Sequence, residues 1–513
     1  MKRLFNYTTF SILYLLIPTI TYFMTWLHWY VGIPASLLLG YAAYLFLKQN
    51  HDIAKKTSVS FLSWTNLVVA LLLFLFLLFT GHGMIIGGTG YDTPWRNAVY
   101  YDLIAQSWPV TYEFSGCALV YYLTYWIVPA GICHVFGLQK NAADIILFFW
   151  TFTGLHTFVL LLLDYVKAKK TQYVPLLFIF LFWSGLNTIA MLMESAAGVN
   201  QFYIDTEWGW NTWQFTGFVQ NGYELNYMVR TTFDSLANIY HQFVPMLLCT
   251  ILFLKYRSVK GLLFITLLLI PFSPLGAIGL CILAMTEILK QLVISIRHHN
   301  FILKIKDILS ITNIIPVCTI VPVFFLYFTA NNALGHTNSL WSAPLAAYGI
   351  PRIAMFTFYY LIYFGIFLVL CHVHVKDRTL FWSVLISLII LPLFKVGRTT
   401  DFGWNASMPG FYIIMVFIMQ NILIFSHKTL WNKRSVATIV ILLIAATTPC
   451  LQMASQYKKC IEDQSTLVYV DAPNIGNSFS NKPLLWVEKN YSDLRNFESP
   501  DYRQTKFYMY LAR

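Results

Sequence analysis

At 513 residues, with 58% apolar and only 11% charged types, the chain lies far from a soluble domain, in which roughly a quarter of residues are charged. A single soluble core also stops growing at about 250–300 residues, so this composition excludes a large soluble enzyme and requires lipid as the solvent. The net charge of +12 is spread over short Lys/Arg clusters between apolar runs, a membrane-topology pattern rather than a basic stripe for nucleic acid.

Met1-Lys2-Arg3 precedes an apolar run from Tyr7 to Tyr30. The run is long for a signal peptide and no small-residue cleavage site follows, so it reads as a retained first helix. A spanning helix takes roughly 20 apolar residues. Runs of that order lie at 8–29, 31–47, 60–80, 143–163, 173–193, 233–254, 308–328, 353–373, 379–396, 410–426 and 435–452, which predicts eleven crossings. The eight cysteines are scattered and form no CxxC pair, which argues against a disulfide framework or a zinc site.

Charge decides two further stretches, 116–137 and 261–289. The connections 1–7, 48–59, 164–172, 255–260, 290–306, 374–379 and 427–434 each carry two to four Lys or Arg, and the positive-inside rule puts them all in the cytoplasm. With 164–172 inside and 81–115 outside, 116–137 is expected to lie along the outer surface or to re-enter. Tyr121, Tyr122, Tyr125 and Trp126 read there as interfacial aromatics, and Pro129 as a helix breaker. The 261–289 run starts and ends beside cytoplasmic clusters and is broken by Pro271-Phe-Ser-Pro274-Leu-Gly276. Two short helices in a re-entrant hairpin fit both facts.

The expected fold is therefore all-α and polytopic. A transmembrane domain spans 1–452, with about eleven transmembrane helices, a re-entrant hairpin and an outer interfacial helix. A short extracytoplasmic tail, 453–513, follows and is expected to pack on the outer face, with a strand-like run at Thr466–Val470. The N-terminus is cytoplasmic, and the expected location is a bacterial plasma membrane. Acids outnumber bases ten to six in the outer loops.

Unusual residues gather on the outer side. Loop 81–115 holds Asp92, Trp95, Arg96 and Asp102. Asp92 and Arg96 are spaced i, i+4, close together if a helix starts near Pro94. A carboxylate at a bilayer surface suits general-base work, or else Asp92 merely caps that helix. Loop 194–232 mixes Trp208, Trp210, Trp213 and Gln214 with Asp205, Glu207, Glu224 and Arg230. Rings that stack on sugar faces beside groups that hold hydroxyls have this composition, and so does an aromatic belt. Between helices 379–396 and 410–426 lie Lys395, Arg398 and Asp401. Arg398 is suited to clamp a phosphate, or to pair with Asp401. Among the histidines, His241 near the start of helix 233–254 is the candidate ligand-binding group.

The order of these parts resembles the glycosyltransferase C superfamily, polytopic enzymes that transfer a sugar from a polyprenyl-phosphate-linked donor on the extracytoplasmic side. The resemblance rests on an acid-bearing outer loop after a helix (Asp92, Asp102), and on the segment from Ala118 through Pro129 to Gly137. It rests also on a helix, 143–170, that ends in lysines. It covers roughly 60–250; the Pro-Pro-Leu common in the family is absent, and two helices rather than one precede the helix leading into the loop.

The resemblance implies an inverting transferase acting on a glycan or glycolipid acceptor. Asp92 would be the base, with Asp102 next in line. Arg96, Arg230, His241, Lys395, Arg398 and Asp401 would hold the donor phosphate and substrate, and Trp95, Trp208, Trp210 and Trp213 would stack on sugars. The implied partners are membrane lipid, the lipid-linked sugar and the acceptor. No cofactor beyond the donor is implied, and a divalent metal stays open. The alternatives are a transporter or flippase of lipid-linked saccharides, which needs charge at mid-membrane, and a ligase or polymerase acting on the same substrates.

The topology has a direct test. In a cysteine-free background, a cysteine placed beside Lys169 is expected to react with an impermeant thiol reagent only from the cytoplasmic side. Labelling from outside overturns the assignment.

Overall fold

The computed structural model describes residues 6–51, 63–82, 93–112, 116–138, 140–189, 218–220, 223–225, 229–331, 338–339, 361–396, 401–425, 433–462 and 497–513. Asp92, Trp208, Trp210, Trp213, Arg398 and the strand-like run Thr466–Val470 lie outside them. So do the side chains of Trp95 and Lys395.

The helices begin where local chemistry allows. Helix α1 (Tyr7–Trp26) is capped by Asn6, whose side chain accepts from Thr9 N at 2.8 Å. It turns tightly into α2 (Trp29–Gln49). A Cβ on Gly32 would sit 2.2 Å from the Phe23 carbonyl oxygen, so only glycine lets the two helices close. Helix α3 (Trp64–Phe79) is capped by Ser63. Helix α4 (Thr93–Ala105) starts beside Pro94, as the spacing of Asp92 and Arg96 anticipates. Strands β1 (Thr111–Tyr112) and β2 (Cys117–Leu119) precede α5 (Thr124–Phe136). Then come α6 (Lys140–Tyr165) and α7 (Tyr173–Leu181). A two-stranded pair, β3 (Phe218–Gln220) and β4 (Tyr223–Leu225), lies before α8 (Thr232–Asn238).

Helices α9 (Tyr240–Lys255), α10 (Val259–Leu267) and α11 (Pro274–Arg297) follow, then α12 (Phe301–Ile308) and α13 (Ile311–Thr329). The remaining elements are β5 (Asn338–Ser339), α14 (Leu361–Cys371), α15 (Arg378–Ile390) and β6 (Phe394–Lys395). Last come α16 (Asp401–Phe425), α17 (Lys433–Glu462), β7 (Glu498–Ser499) and α18 (Lys506–Tyr510).

Among the described residues, seven helices are long and apolar enough to cross a membrane: Tyr7–Trp26, Trp29–Gln49, Asn141–Tyr165, Pro274–Arg297, Phe301–Thr329, Asp401–Ile424 and Lys433–Tyr457. Six coincide with expected crossings. The seventh, α11, replaces an expected short arm: the chain breaks at Pro271–Pro274, but the second arm runs for 24 residues, about 36 Å at 1.5 Å per residue. Ser273 caps it and Pro274 fills its first turn, a favoured start. The other five expected runs appear as apolar helices of under 18 described residues. Within 116–137 the helix is α5, with 13 residues, about 20 Å and short of a hydrocarbon core of about 30 Å.

Large apolar side chains face outward along the helices, as at Leu37, Leu71, Phe325, Val369 and Leu443. Polar ones turn in. On α17, Ser435, Thr438, Thr448, Gln452 and Gln456 are buried while Val436, Ile439 and Val440 are exposed. Helix α16 is the most enclosed of the long helices. It crosses α11 where a Cβ on Gly279 would lie 1.8 Å from the Ala406 carbonyl oxygen, the close backbone approach that small residues permit in membranes.

The two ends of the bundle differ. At one, the loops assigned to the cytoplasm meet. Lys255 bonds Asp164 at 2.7 Å, Arg257 pairs with Glu287 and, at 3.1 Å, with Asp377, and Lys290 reaches Asp377 at 3.1 Å. At the other, β2 pairs antiparallel with both β1 and β7, with Leu119 opposite Glu498. The last residues are tied down there too, Arg513 N donating to Trp26 O at 2.9 Å.

Asp377 caps α15 through Leu380 N. Burial raises its carboxyl, but the Leu380 N–H, Lys290 and Arg257 outweigh burial and hold it below the ordinary value. A depressed folded pKa stabilises above the unfolded value, and that contribution is lost as pH falls through the folded one. Asp377→Asn keeps the cap and removes the charge. It is expected to lower thermal stability in detergent at about pH 7, with the gap to wild type closing below about pH 4. A gap that persists at acid pH sinks this account.

Candidate functional site

The second end of the bundle brings together residues far apart in sequence, and α8 is where they meet. All seven of its residues are buried, Thr232, Asp234, Ser235 and Asn238 among them. Thr231 caps it by accepting from Asp234 N at 3.0 Å and donates to Gln452 of α17 at 2.7 Å. Thr232 shares a 3.0 Å hydrogen bond with Tyr412 of α16. Tyr363 of α14 donates to the carbonyl of Val229. A short helix this polar is held by partners on three others, as buried polar groups require.

Two arginines bind to α8, one from the segment that leads into it and one from α4. Arg230 pairs with Asp234 at 3.0 Å and lies 4.9 Å over the Trp404 ring of α16. Asp234 also accepts from the Asn238 side chain at 2.7 Å. Arg96, on α4, donates through Nε to the Asn238 carbonyl at 3.2 Å and through Nη1 to the Tyr121 hydroxyl. Arg96 lies 5.1 Å from the ring of Tyr121 and 5.8 Å from that of Phe497, two rings packed against each other at 4.4 Å, at distances that suit cation–π attraction. Phe497 belongs to the C-terminal segment, so that segment contributes to the site.

The carboxylates take distinct places. Asp102, six residues after Arg96 on α4, is fully buried and accepts from the Tyr112 hydroxyl at 2.7 Å. Burial, then the neighbouring Asp102 and Glu498 charges, push the Tyr112 phenol well up, so it stays a donor. Asp102 thus anchors the small sheet to α4. Asp144 at the start of α6 accepts from Tyr101 at 2.8 and 3.0 Å. Asp401 opens α16. Burial raises the Tyr122 phenol, with Asp401 adding to the rise and Arg96 opposing it. Asp401 and Arg96, from loops some three hundred positions apart, therefore lie within electrostatic reach of one hydroxyl.

His241 is fully buried within the protein. It stacks on Trp126 at 4.4 Å, and Tyr121 lies 5.8 Å away. Tyr121, Tyr125 and Trp126, expected as interfacial aromatics, are buried instead. Their polar atoms find protein partners: Trp126 Nε1 donates to Tyr240 at 2.9 Å, and Tyr125 donates to Thr151 at 2.8 Å.

Of the residues singled out from sequence, Arg96 and Arg230 converge on α8, His241 lies beside Tyr121, which Arg96 bonds, Asp401 approaches from α16, and Asp102 bonds Tyr112 instead. Lys395 is described only through its backbone, paired with Asn338. Sequence reasoning missed Asp234, Asn238, Gln242, Gln452 and Phe497. The run Thr231-Thr-Phe-Asp-Ser-Leu-Ala-Asn238 leading into an apolar helix was the available signal, since ionisable groups at membrane depth are functional by default. Among the described residues no group of three or more His, Cys, Asp or Glu is placed to hold a metal ion. Comparison with protein families, curated proteins and solved structures finds no match.

Asp234→Asn keeps an acceptor for Asn238 but removes the charge facing Arg230, whereas Asp234→Ala removes both. Asp234→Ala is expected to cost about 1–3 kcal/mol and to lower the melting temperature more than Asp234→Asn. Equal losses mean that the Asn238 bond contributes nothing.

Proposed function

We propose that this protein is a membrane glycosyltransferase that moves a sugar from a lipid-phosphate-linked donor to a glycan or glycolipid acceptor. The observation that carries the reading is the convergence of Arg96 and Arg230 on α8, two cations from separate segments joined through Asn238 and Asp234. Guanidinium groups suit phosphate because they donate in a fork and stay charged. A pair held by neighbouring donors and acceptors needs little reorganisation as charge develops on a leaving phosphate.

The chemistry balances simply. The acceptor hydroxyl oxygen attacks the anomeric carbon, the bond from that carbon to the phosphate oxygen breaks, and the phosphate keeps the electron pair. A carboxylate takes the hydroxyl proton. Asp102 suits this poorly, being sealed against Tyr112. Asp92, immediately before α4 in the chain and four positions before Arg96, remains the proposed base, with Arg398 and Lys395 the further proposed phosphate ligands. The exposed apolar faces of the helices suit a donor chain lying in lipid. The orientation proposed is N-terminus in the cytoplasm and site on the outer side.

A transporter of the same lipid-linked saccharides is the second reading. It is favoured by the inward polar face of α17, where Thr438, Thr448, Gln452 and Gln456 are buried.

With purified protein and a polyprenyl-phosphate-linked sugar, Asp92→Asn is expected to reduce transfer about 10²–10⁴-fold at unchanged melting temperature. Full transfer by Asp92→Asn overturns the assignment of the base. Movement of the intact lipid-linked sugar across vesicles without any transfer overturns the enzyme reading in favour of transport.

A further inference from the structure

His241 carries an atom that the bundle does not use. Its Nδ1 is buried without a hydrogen-bond partner, in a side chain wholly shielded from solvent. Such an orphan is rare in a native interior and costs the desolvation of the group unless something else meets it.

The neighbours determine what that atom is. Ser273 Oγ accepts from Gly276 N at 3.3 Å as the cap of α11, which leaves its own proton free to donate. It donates to Gln242 Oε1 at 3.2 Å. With the Gln242 oxygen on Ser273, the amide nitrogen faces His241 Nε2 at 3.4 Å. An amide nitrogen only donates, so Nε2 must accept. A neutral imidazole has one N–H, and here it belongs on Nδ1. An imidazolium would set a second donor against the amide, and Arg96 is within electrostatic reach to oppose its charge.

We infer that Ser273 and Gln242 lock His241 as the neutral Nδ1–H tautomer, and that this N–H is a donor for the phosphoryl group of a polyprenyl phosphate held beside Arg96. The ligand half rests on the reading of the site as one for lipid-linked phosphate; the tautomer does not. Tyr121 joins the two groups, accepting from Arg96 and lying 5.8 Å from the imidazole. A neutral donor next to a guanidinium adds hydrogen bonding to an anion without adding cation repulsion. Gln242 and Ser273 act as positioning residues, in the way that outer partners fix the tautomer of a ligating histidine.

Two measurements on the full chain in nanodiscs test this. The first is ring-nitrogen NMR on protein labelled at histidine, with the His241 resonances identified by their absence from His241→Gln or His241→Asn. The expected result is a neutral ring protonated at Nδ1. Protonation at Nε2, or at both nitrogens, overturns the inference whatever the ligand.

The second is binding of farnesyl phosphate, with farnesol as control. His241→Gln, whose amide falls near the Nε2 position, is expected to weaken farnesyl phosphate about ten- to a hundredfold. His241→Asn, whose amide nitrogen can occupy the Nδ1 position, is expected to stay within about threefold of wild type, a rescue that mere loss of packing does not give. Equal binding by wild type and His241→Gln overturns the donor role. If farnesyl phosphate binds wild type no better than farnesol, the lipid-phosphate reading fails and takes the ligand half of this inference with it.

Discussion

Lipid offers no hydrogen-bond partner, and the arrangement of this bundle follows from that constraint. Polar side chains on the long helices either bond back to their own helix or turn inward. Along α1, Ser11 and Thr19 donate to the carbonyls of Tyr7 and Leu15, four residues earlier. Along α17 the polar stripe faces the protein, with Gln452 meeting Thr231 and Thr447 meeting Thr188. Charged pairs such as Lys255–Asp164 gather at one end, where water can share in their solvation.

The exception is α8. It carries an aspartate and an asparagine into a fully buried position and holds them there through bonds to Arg230 and Arg96. Removing a partner from such a chain leaves the others to bear the desolvation, so the elements that supply them are energetically coupled. These are α4, α8, α16, α17 and the C-terminal segment. Rigidity of this kind is what the proposed phosphate site would need, because donors that are already aimed lose little freedom on binding. The same coupling places Phe497, nearly four hundred positions after Tyr121 in the chain, against the Tyr121 ring and within 5.8 Å of the Arg96 guanidinium.

Much of the scaffold was legible in the chain. The apolar runs mark six of the seven long helices among the described residues, the prolines at 271 and 274 mark a break, and Pro94 marks the start of α4. Arg96, Arg230 and His241 stood out because charge and imidazole are rare in such a composition. Asp234 did not, since a carboxylate at the very edge of an apolar run is usually solvated, and the polar run around it was the one local sign of its burial. Tyr121, Tyr125 and Trp126 were misread for the opposite reason. An amphipathic ring suits a membrane interface as well as a buried hydrogen bond, and only the presence of Arg96, Thr151 and Tyr240 beside them selects the second.

By itself, then, the amino-acid sequence determined the solvent, the helical class, the rough helix boundaries and the clustering of basic loops, because each depends on local composition or on caps a few residues away. The tertiary structure alone decided which polar groups meet: Arg96 with Asn238, Thr231 with Gln452, β2 with β7. It also decided that the second arm at 274–297 is a full-length helix packed on α16 through Gly279. Those outcomes depend on contacts between segments tens to hundreds of residues apart. Hydropathy and periodicity carry no record of such pairings, because an inward-facing glutamine looks the same in the chain whatever partner it meets.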